Sequence, residues 1–179
     1  MAKKVLTYWQ QPITPAQLSY QTGLETKQCT DLVRNLSQKG LFHCINPEAR
    51  IGRLYWLTKT GCTFQNRIRK EQKLPFLNHP LPSINWPLYG QLCFSHRSAV
   101  IKTLSIPLQP AEIKRKLRIE QPQVHINADN VRDIIRFFKF QNIVQPIYSR
   151  RKAYPKYELT QMGKQFRELL IRAEVKIRN

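Results

Sequence analysis

Apolar side chains recur with helical spacing in two stretches of the chain that lie 102 residues apart. Both stretches follow the i, i+3, i+4, i+7 pattern: Cys29, Leu32, Val33 and Leu36 in the first, and Val131, Ile134, Ile135 and Phe138 in the second. This spacing gathers the apolar residues on one stripe of a helix and leaves the opposite face polar. The pattern therefore predicts two similar amphipathic helices, one in each half of the chain.

The similarity extends beyond these helices. Residues 26–64 align without a gap on residues 128–166, with eight identities in 39 positions. In both copies the stripe is followed by a left-handed helix end, at Gly40 or Asn142, then by a hairpin pattern, and then by a helix with a threonine cap, Thr58 or Thr160. A shared periodicity with a shared ending indicates a duplicated module.

Each half also contains two helical segments before the stripe. The second segment of each pair opens with proline, which is favoured at the first helical position. The turn that follows is about seven residues longer in the second half. The predicted segments are residues 2–10 and 15–21 in the first half, and 95–104 and 110–118 in the second. A proline-rich apolar stretch between the halves predicts a stiff connector packed on a domain, which divides the chain into residues 1–72, 73–90 and 91–179.

Three helices, a hairpin and a further helix that begins with Leu-Thr-x-x-Gly look like a winged helix-turn-helix. The run Arg-Leu-Tyr-Trp-Leu-Thr-Lys-Thr-Gly, residues 53–61, resembles the return strand of the wing and the following cap in MarR-like and PadR-like bacterial regulators. The resemblance implies a mainly α fold with small β-hairpins (α+β), built from two winged helix-turn-helix domains in tandem. It also implies DNA binding, with the third helix in the major groove and the wing over the neighbouring backbone.

The charge of the chain favours a polyanionic partner. Lys and Arg number 30 against 11 Asp and Glu, a net charge of +19, which points to nucleic acid or anionic lipid. A membrane partner is not expected, because no apolar run is long enough to span a bilayer and the mean hydropathy is -0.48. The first residues also lack the apolar core of a secretory signal. We expect a cytoplasmic, nucleoid-associated protein that binds double-stranded DNA.

The polar face opposite each stripe carries side chains suited to reading base edges. Arginine can make a bidentate contact with guanine, and glutamine or asparagine with adenine. Arg34 and Arg136 are the first candidates, although each follows an aspartate by three residues and can pair with it on a solvated helix. The predicted recognition-helix residues are Lys27, Thr30, Arg34 and Gln38 in the first half, and Asn130, Arg132 and Arg136 in the second.

Basic side chains are also concentrated at the hairpin tips and on one further helix. Three adjacent cations at the second tip repel one another and gain nothing from a purely structural role, so we predict nucleic-acid contact there. A merely solvated face is the alternative for the helix. The predicted wing and backbone residues are Arg50 and Arg53 in the first hairpin, Arg150, Arg151, Lys152 and Lys156 in the second, and Lys114, Arg115, Lys116 and Arg118 in the helix.

Residues that would support catalysis or metal binding are scattered. No Walker A, serine-hydrolase elbow or zinc-protease motif occurs. The four cysteines form no Cys-x-x-Cys pair; His43, Cys44 and Cys62 could converge, but zinc ligands are usually closer and paired. We expect no enzymatic activity, no cofactor and no metal.

Two aromatic residues, Phe137 and Phe140, flank a polar helix face, and their apolar area predicts a domain or subunit interface. The last predicted helix, residues 160–176, carries an apolar stripe that would equally suit homodimerisation. The aromatic residues predicted to pack in cores are Trp9, Phe42, Tyr55, Trp56, Phe64, Phe138 and Phe166.

The favoured function is a sequence-specific transcriptional regulator whose tandem domains act as a covalent pseudo-dimer on two half-sites. Two alternatives stay open. One is an accessory DNA-binding protein of plasmid or phage replication or recombination. The other is a structure-specific RNA-binding protein that uses its basic wings and exposed aromatic side chains for shape and stacking. No small-molecule ligand is evident.

Overall fold

The structure, a computed structural model, describes residues 2–77, 81, 83–148 and 155–176. It is a mixed α and β fold with two small antiparallel hairpins, which confirms the predicted α+β class. The described chain divides into two compact units. One unit runs to Gln91 and also includes the segment from Arg172 onward, whereas the other consists of Leu92–Ile171. The predicted connector, residues 73–90, thus belongs to the first unit as far as it is described.

The first unit contains five helices and one hairpin among its described residues. The two strands pair with Phe42 opposite Leu57 and Cys44 opposite Tyr55. The elements are α1 (Ala2–Tyr8), α2 (Pro15–Thr22), α3 (Thr26–Gln38), β1 (Phe42–Cys44), β2 (Tyr55–Leu57), α4 (Lys59–Glu71) and α5 (Trp86–Leu92).

The second unit repeats most of this order. Its strands pair with Val144 opposite Leu159 and Ile147 opposite Lys156. The elements are α6 (Ser95–Thr103), α7 (Pro110–Glu120), α8 (Ala128–Phe140), β3 (Val144–Ile147), β4 (Lys156–Leu159) and α9 (Gln161–Arg172). Helix α9 therefore ends before the predicted boundary at residue 176.

The apolar stripes form the cores as predicted. In α3, Cys29, Val33 and Leu36 are buried and Leu32 is half-buried. In α8 all four stripe residues are buried, and Phe138 is fully enclosed. Because these two helices bury their apolar sides in the core, their opposite faces remain in solvent.

The junction between hairpin and following helix is the same in both units. The Thr58 hydroxyl donates to the Gly40 carbonyl oxygen at 2.6 Å and accepts from the Gly61 amide at 3.0 Å. The equivalent Thr160 makes the same two bonds at 2.8 and 3.1 Å. Gly40 and Asn142 have φ values of +69° and +55°, so both predicted left-handed helix ends are confirmed.

A short segment before the second helix pairs with the return strand in each unit. Ile13 and Tyr55 exchange backbone hydrogen bonds at 3.4 and 3.1 Å. Leu108 and Tyr157 do the same at 3.1 and 2.9 Å. These positions match under the alignment that places Pro15 on Pro110 and Thr58 on Thr160, so the duplication includes tertiary contacts.

The predicted connector contains a helix that its prolines concealed. Asn85 begins α5, since its side chain accepts from the Leu88 amide at 3.0 Å. Pro87 lies in the first turn, where a missing N–H removes no helical bond. A Cβ on Gly90 would come within 2.7 Å of the Gly52 carbonyl oxygen, so α5 packs directly on the first hairpin tip.

Phe64 was expected in the core but is 37% exposed, whereas its equivalent Phe166 is fully buried. The inward face of α4 instead carries Gln65 and Arg69. The Gln65 amide donates to the Leu6 and Trp9 carbonyl oxygens at 2.6 and 2.7 Å, which satisfies the end of α1. This polar requirement selects which side of α4 is buried.

Candidate nucleic-acid interface

The solvent face of α3 carries the residues predicted from the first stripe. Lys27, Arg34 and Gln38 are exposed. Thr30 donates its hydroxyl to the Thr26 carbonyl oxygen at 2.8 Å, so it is committed to its own helix. Arg34 lies 3.5 Å from an Asp31 carboxylate oxygen, which realises the predicted ion pair.

The solvent face of α8 is similar and more strongly paired. Arg136 donates to Asp133 at 2.8 Å, again as predicted. Arg132 donates to Asp129 at 2.7 Å, an additional i, i+3 pair. Asn130 is exposed on the first turn of the same helix. The fork of each guanidinium is thereby held by an acid one turn earlier.

These ion pairs are too exposed to contribute much stability. The side chains of Arg34 and Arg136 are 66% and 77% exposed, and their aspartates are also more than half exposed. Pairs of this kind are worth about 0–1 kcal/mol. Each guanidinium can therefore leave its aspartate for a better partner at little cost.

Capping side chains fix where the two helices begin. Asn127 accepts from the Asn130 amide at 2.7 Å and starts α8. Glu25 and Gln28 form a reciprocal capping box at the start of α3. Since one residue of shift would rotate each face by about 100°, these caps help to determine which side chains face solvent.

The first hairpin tip is held within its own unit. Asn46 is buried, donates to the Gly52 carbonyl oxygen at 3.0 Å and accepts from the Leu54 amide at 2.7 Å. Arg53 donates to the Ala49 carbonyl oxygen at 2.9 Å. Arg50 is exposed. Helix α5 packs on this tip at Gly52, while both arginines stay exposed.

The second hairpin is described only at its base. Arg150, Arg151 and Lys152 lie outside the described residues, so their predicted contacts stay predictions. Lys156 is exposed at the start of β4, opposite Ile147.

The four cations of α7 fall into two groups. Arg115 is exposed, and Lys116 is engaged with Glu120 at 3.7 Å and with the Ser105 hydroxyl at 3.2 Å. Lys114 and Arg118 instead line a cleft of about 430 Å³ between α7 and the start of α8. The structure therefore separates residues that the sequence presented as one basic cluster.

Arg97 packs against aromatic side chains of the second unit, a contact that the sequence pattern does not predict. Its guanidinium carbon lies 4.2 Å from the centroid of the Phe137 ring and 5.6 Å from that of Phe94. Burial lowers the pKa of Arg97. Phe137 is thus packed within its own unit, while Phe140 is 84% exposed. The sequence predicted that Phe137 and Phe140 form an interface. In the fold, Arg97 packs over the Phe137 ring instead.

In the described part of the chain, no group of three or more His, Cys, Asp or Glu is arranged to hold a metal ion. Likewise, none of the helices described is long and apolar enough to cross a bilayer. Burial raises the pKa of the Cys29 and Cys62 thiols, which favours the neutral form.

The chain matches no protein-family model, no curated protein and no solved structure. Functional interpretation therefore depends on the exposed faces of α3 and α8, the basic residues around them and the high net charge.

Proposed function

We propose that this protein binds double-stranded DNA with sequence specificity and acts as a transcriptional regulator, each unit serving as a winged helix-turn-helix. In this proposal α3 and α8 enter the major groove and the hairpins lie over neighbouring backbone. The duplication supplies two reading elements in one chain. Because the two helix faces differ, the preferred site need not be a palindrome.

The observation that carries the proposal is the pair of exposed arginines, Arg34 and Arg136, at equivalent positions of the repeat. Each projects from a helix whose other side is buried in its core. Each is also paired with an exposed aspartate that it can exchange for another partner at little cost. Exposed guanidinium groups at equivalent positions of repeated helices support base recognition.

The energies favour exchange of aspartate for guanine. An exposed ion pair is worth about 0–1 kcal/mol, whereas a bidentate arginine contact with guanine discriminates by about 1–3 kcal/mol. Asp31 and Asp133 then stand near the duplex as uncompensated acids. They disfavour non-specific backbone approach and so increase the dependence on a correct base.

Sequence-independent affinity for DNA must come from residues outside the recognition faces of α3 and α8, since the arginines of α8 are equalled in number by its aspartates. The net charge of +19 means that many other basic residues are available to contact phosphates. Lys114, Arg115 and Arg118 on α7 are suitable phosphate ligands, as are the basic residues of the second wing. Backbone contacts position the protein, and base contacts select the sequence.

Sequence selection from a random duplex library tests the proposal. The wild-type chain is expected to enrich one motif, and the Arg34→Ala/Arg136→Ala variant to enrich a degenerate one. Arg67→Ala/Lys70→Ala is the matched control, because it also removes two exposed cations, and Arg67 is likewise paired with an acid, Glu71 at 3.7 Å. Failure of the wild-type chain to enrich any motif would overturn the proposal.

Structure-specific RNA binding is a second candidate, favoured by the large exposed ring of Phe140 at the end of α8. Such a ring can stack on an unpaired base. Competition of RNA hairpins and single strands against the duplex in one buffer separates the two functions. If RNA wins and Phe140→Ala removes that advantage, the second candidate replaces the first.

A further inference from the structure

The cleft between α7 and α8 is a feature of the second unit that the repeat does not account for. Helix α7 has 11 residues, whereas its counterpart α2 has eight. The turn that follows α7 is also longer than the one after α2. Together these additions form an open cleft of about 430 Å³, within the volume range of small-molecule sites.

Two cations of α7 face this cleft and have no counterpart in the first unit. Lys114 and Arg118 align with Ser19 and Gly23 when Pro110 is placed on Pro15. They are one turn apart, a spacing at which like charges destabilise a helix by a few tenths of a kcal/mol. Lys114 thus replaces a neutral residue within the length shared with α2, and Arg118 lies in the additional part of α7. Both charges are present at a small cost in helix stability.

Among the described residues, no carboxylate lines the cleft, and neither Lys114 nor Arg118 has an acidic partner within ion-pair distance. Their neighbours behave differently: Lys116 pairs with Glu120 on the same helix, and Arg132 pairs with Asp129 on α8. The positive charge of the cleft is thus left for an external anion.

The rest of the lining suits a ligand that is not a bare ion. Val124 and Ile126 from the long turn are half-buried and provide an apolar wall, with Pro122 beside them. Asn130 adds a neutral polar side chain on the α8 side. A lining that combines two cations with several apolar side chains matches a phosphate carried on a sugar or a similar carbon skeleton.

We propose that this cleft binds a phosphate ester, with Lys114 and Arg118 on the phosphate oxygens and the turn of residues 122–126 against the carbon part. The ester is either a phosphodiester of the DNA backbone or a free phosphorylated small molecule. The first source rests on the proposed DNA-binding function, whereas the second does not.

Binding of a 5′-deoxynucleoside monophosphate to the full chain tests the cleft without any duplex. Amide NMR shifts of Val124, Ile126 and Asn130 report the site, and thymidine and inorganic phosphate are the parallel probes. Lys114→Gln/Arg118→Gln is compared with Lys139→Gln/Lys164→Gln, which removes the same charge from exposed positions of the same unit. Far-UV circular dichroism verifies that both variants are folded.

The cleft variant is expected to lose about tenfold or more in monophosphate affinity, as for the loss of charge-assisted hydrogen bonds, while the control retains it. Monophosphate is also expected to bind more tightly than thymidine, with its shift changes centred on the cleft. Equal losses in both variants, shifts spread over the surface, or equal binding of thymidine would overturn the proposal.

A duplex arm then distinguishes the two sources. If the cleft takes a backbone phosphate, the cleft variant has a lower duplex affinity than the wild-type chain. Its slope of log affinity against log salt concentration is also smaller in magnitude by about one to two. If the cleft variant keeps wild-type duplex affinity but loses monophosphate binding, the ligand is a free phosphorylated molecule. If the wild-type chain binds no duplex but still binds monophosphate, the proposed function fails and the cleft stands.

Discussion

At the scale of single residues, the most informative groups are arginines whose partners differ. Arg34 and Arg136 have exposed aspartates, whereas Arg69 is buried and donates to the Thr7 and Pro75 carbonyl oxygens, each at 2.7 Å. Exposed pairs exchange readily, and buried charge-assisted bonds do not. Arginines of the first kind are suited to ligands, and Arg69 is suited to holding α1 and the segment after α4.

Replacement of Arg34 by alanine should relax base preference at one position of the bound site. The expected cost is about 1–3 kcal/mol for the preferred base and little for the others. Binding titrations with single-base variants of the selected site measure this difference. A uniform loss across all bases would identify Arg34 as a phosphate ligand instead.

Replacement of Cys29 should change how stability depends on pH. Burial raises the pKa of the Cys29 thiol, so the folded state holds this proton above roughly pH 8.5, where an unfolded thiol releases it. The resulting stability is fully present below that pH and is lost as pH rises through the folded pKa. Cys29→Val should therefore show a shallower decline of melting temperature between neutral and alkaline pH than Cys44→Ala. Parallel declines would contradict this.

At the scale of elements, the contact between the hairpin and the next helix is the tightest feature that the two units share. A Cβ on Gly61 would lie 2.1 Å from the Leu41 carbonyl oxygen, and one on Gly163 would lie 2.2 Å from that of Ile143. Both oxygens belong to backbone that is already fixed by hydrogen bonds from Thr58 and Thr160. The repeated glycine is therefore required by close approach.

Gly61→Ala and Gly163→Ala should each destabilise their own unit by about 3 kcal/mol or more, since backbone must move. Gly40→Ala is the control, because a Cβ there meets nothing within 4 Å and costs only the left-handed strain of about 1–2 kcal/mol. Urea unfolding gives the magnitude, and hydrogen exchange followed by mass spectrometry assigns it to a unit. Tolerance of Gly163→Ala would mean that the helix can shift away from the strand.

Helix α5 changes the role that the first hairpin can have. Its backbone contacts the tip at Gly52, next to the residues predicted to grip DNA. The second hairpin carries the larger number of basic residues in the sequence. We therefore expect the two hairpins to contribute unequally to contacts with the DNA backbone.

At the scale of the whole molecule, the high positive charge is the main physical determinant of binding. A net charge of +19 makes the free chain repel itself and makes polyanion binding release counterions.

Duplex affinity should fall steeply with salt, with a log-log slope of roughly -5 to -9 if six to ten phosphates are neutralised. Fluorescence anisotropy between low and physiological salt measures this slope. A flat dependence would contradict duplex binding through the basic surface.

Neutralisation of Arg150, Arg151 and Lys152 should weaken all duplexes alike and flatten the salt dependence, because these cations are expected at the backbone. The matched control removes three cations elsewhere: Lys59, Lys70 and Lys139. Altered base preference in the first variant would mean that the second wing reads bases.

Much of the fold was predictable because it depends on local spacing. Helical periodicity predicted the buried stripes of α3 and α8, and hence which side chains of those helices face solvent. Backbone preferences predicted the ends at Gly40 and Asn142 and the threonine caps. The aspartates three residues before Arg34 and Arg136 predicted their ion pairs.

The sequence by itself determined the repeated order of helices and hairpins, though not α5, together with the duplication, the charge and the exposed arginine faces, because each follows from neighbours in the chain or from simple sums over it. Only the tertiary structure decided that Gln65 turns inward while Phe64 stays exposed, that α5 packs on the first hairpin, and that Lys114 and Arg118 share a cleft. Those outcomes depend on carbonyl groups and surfaces supplied by residues far away in sequence, which no local periodicity encodes.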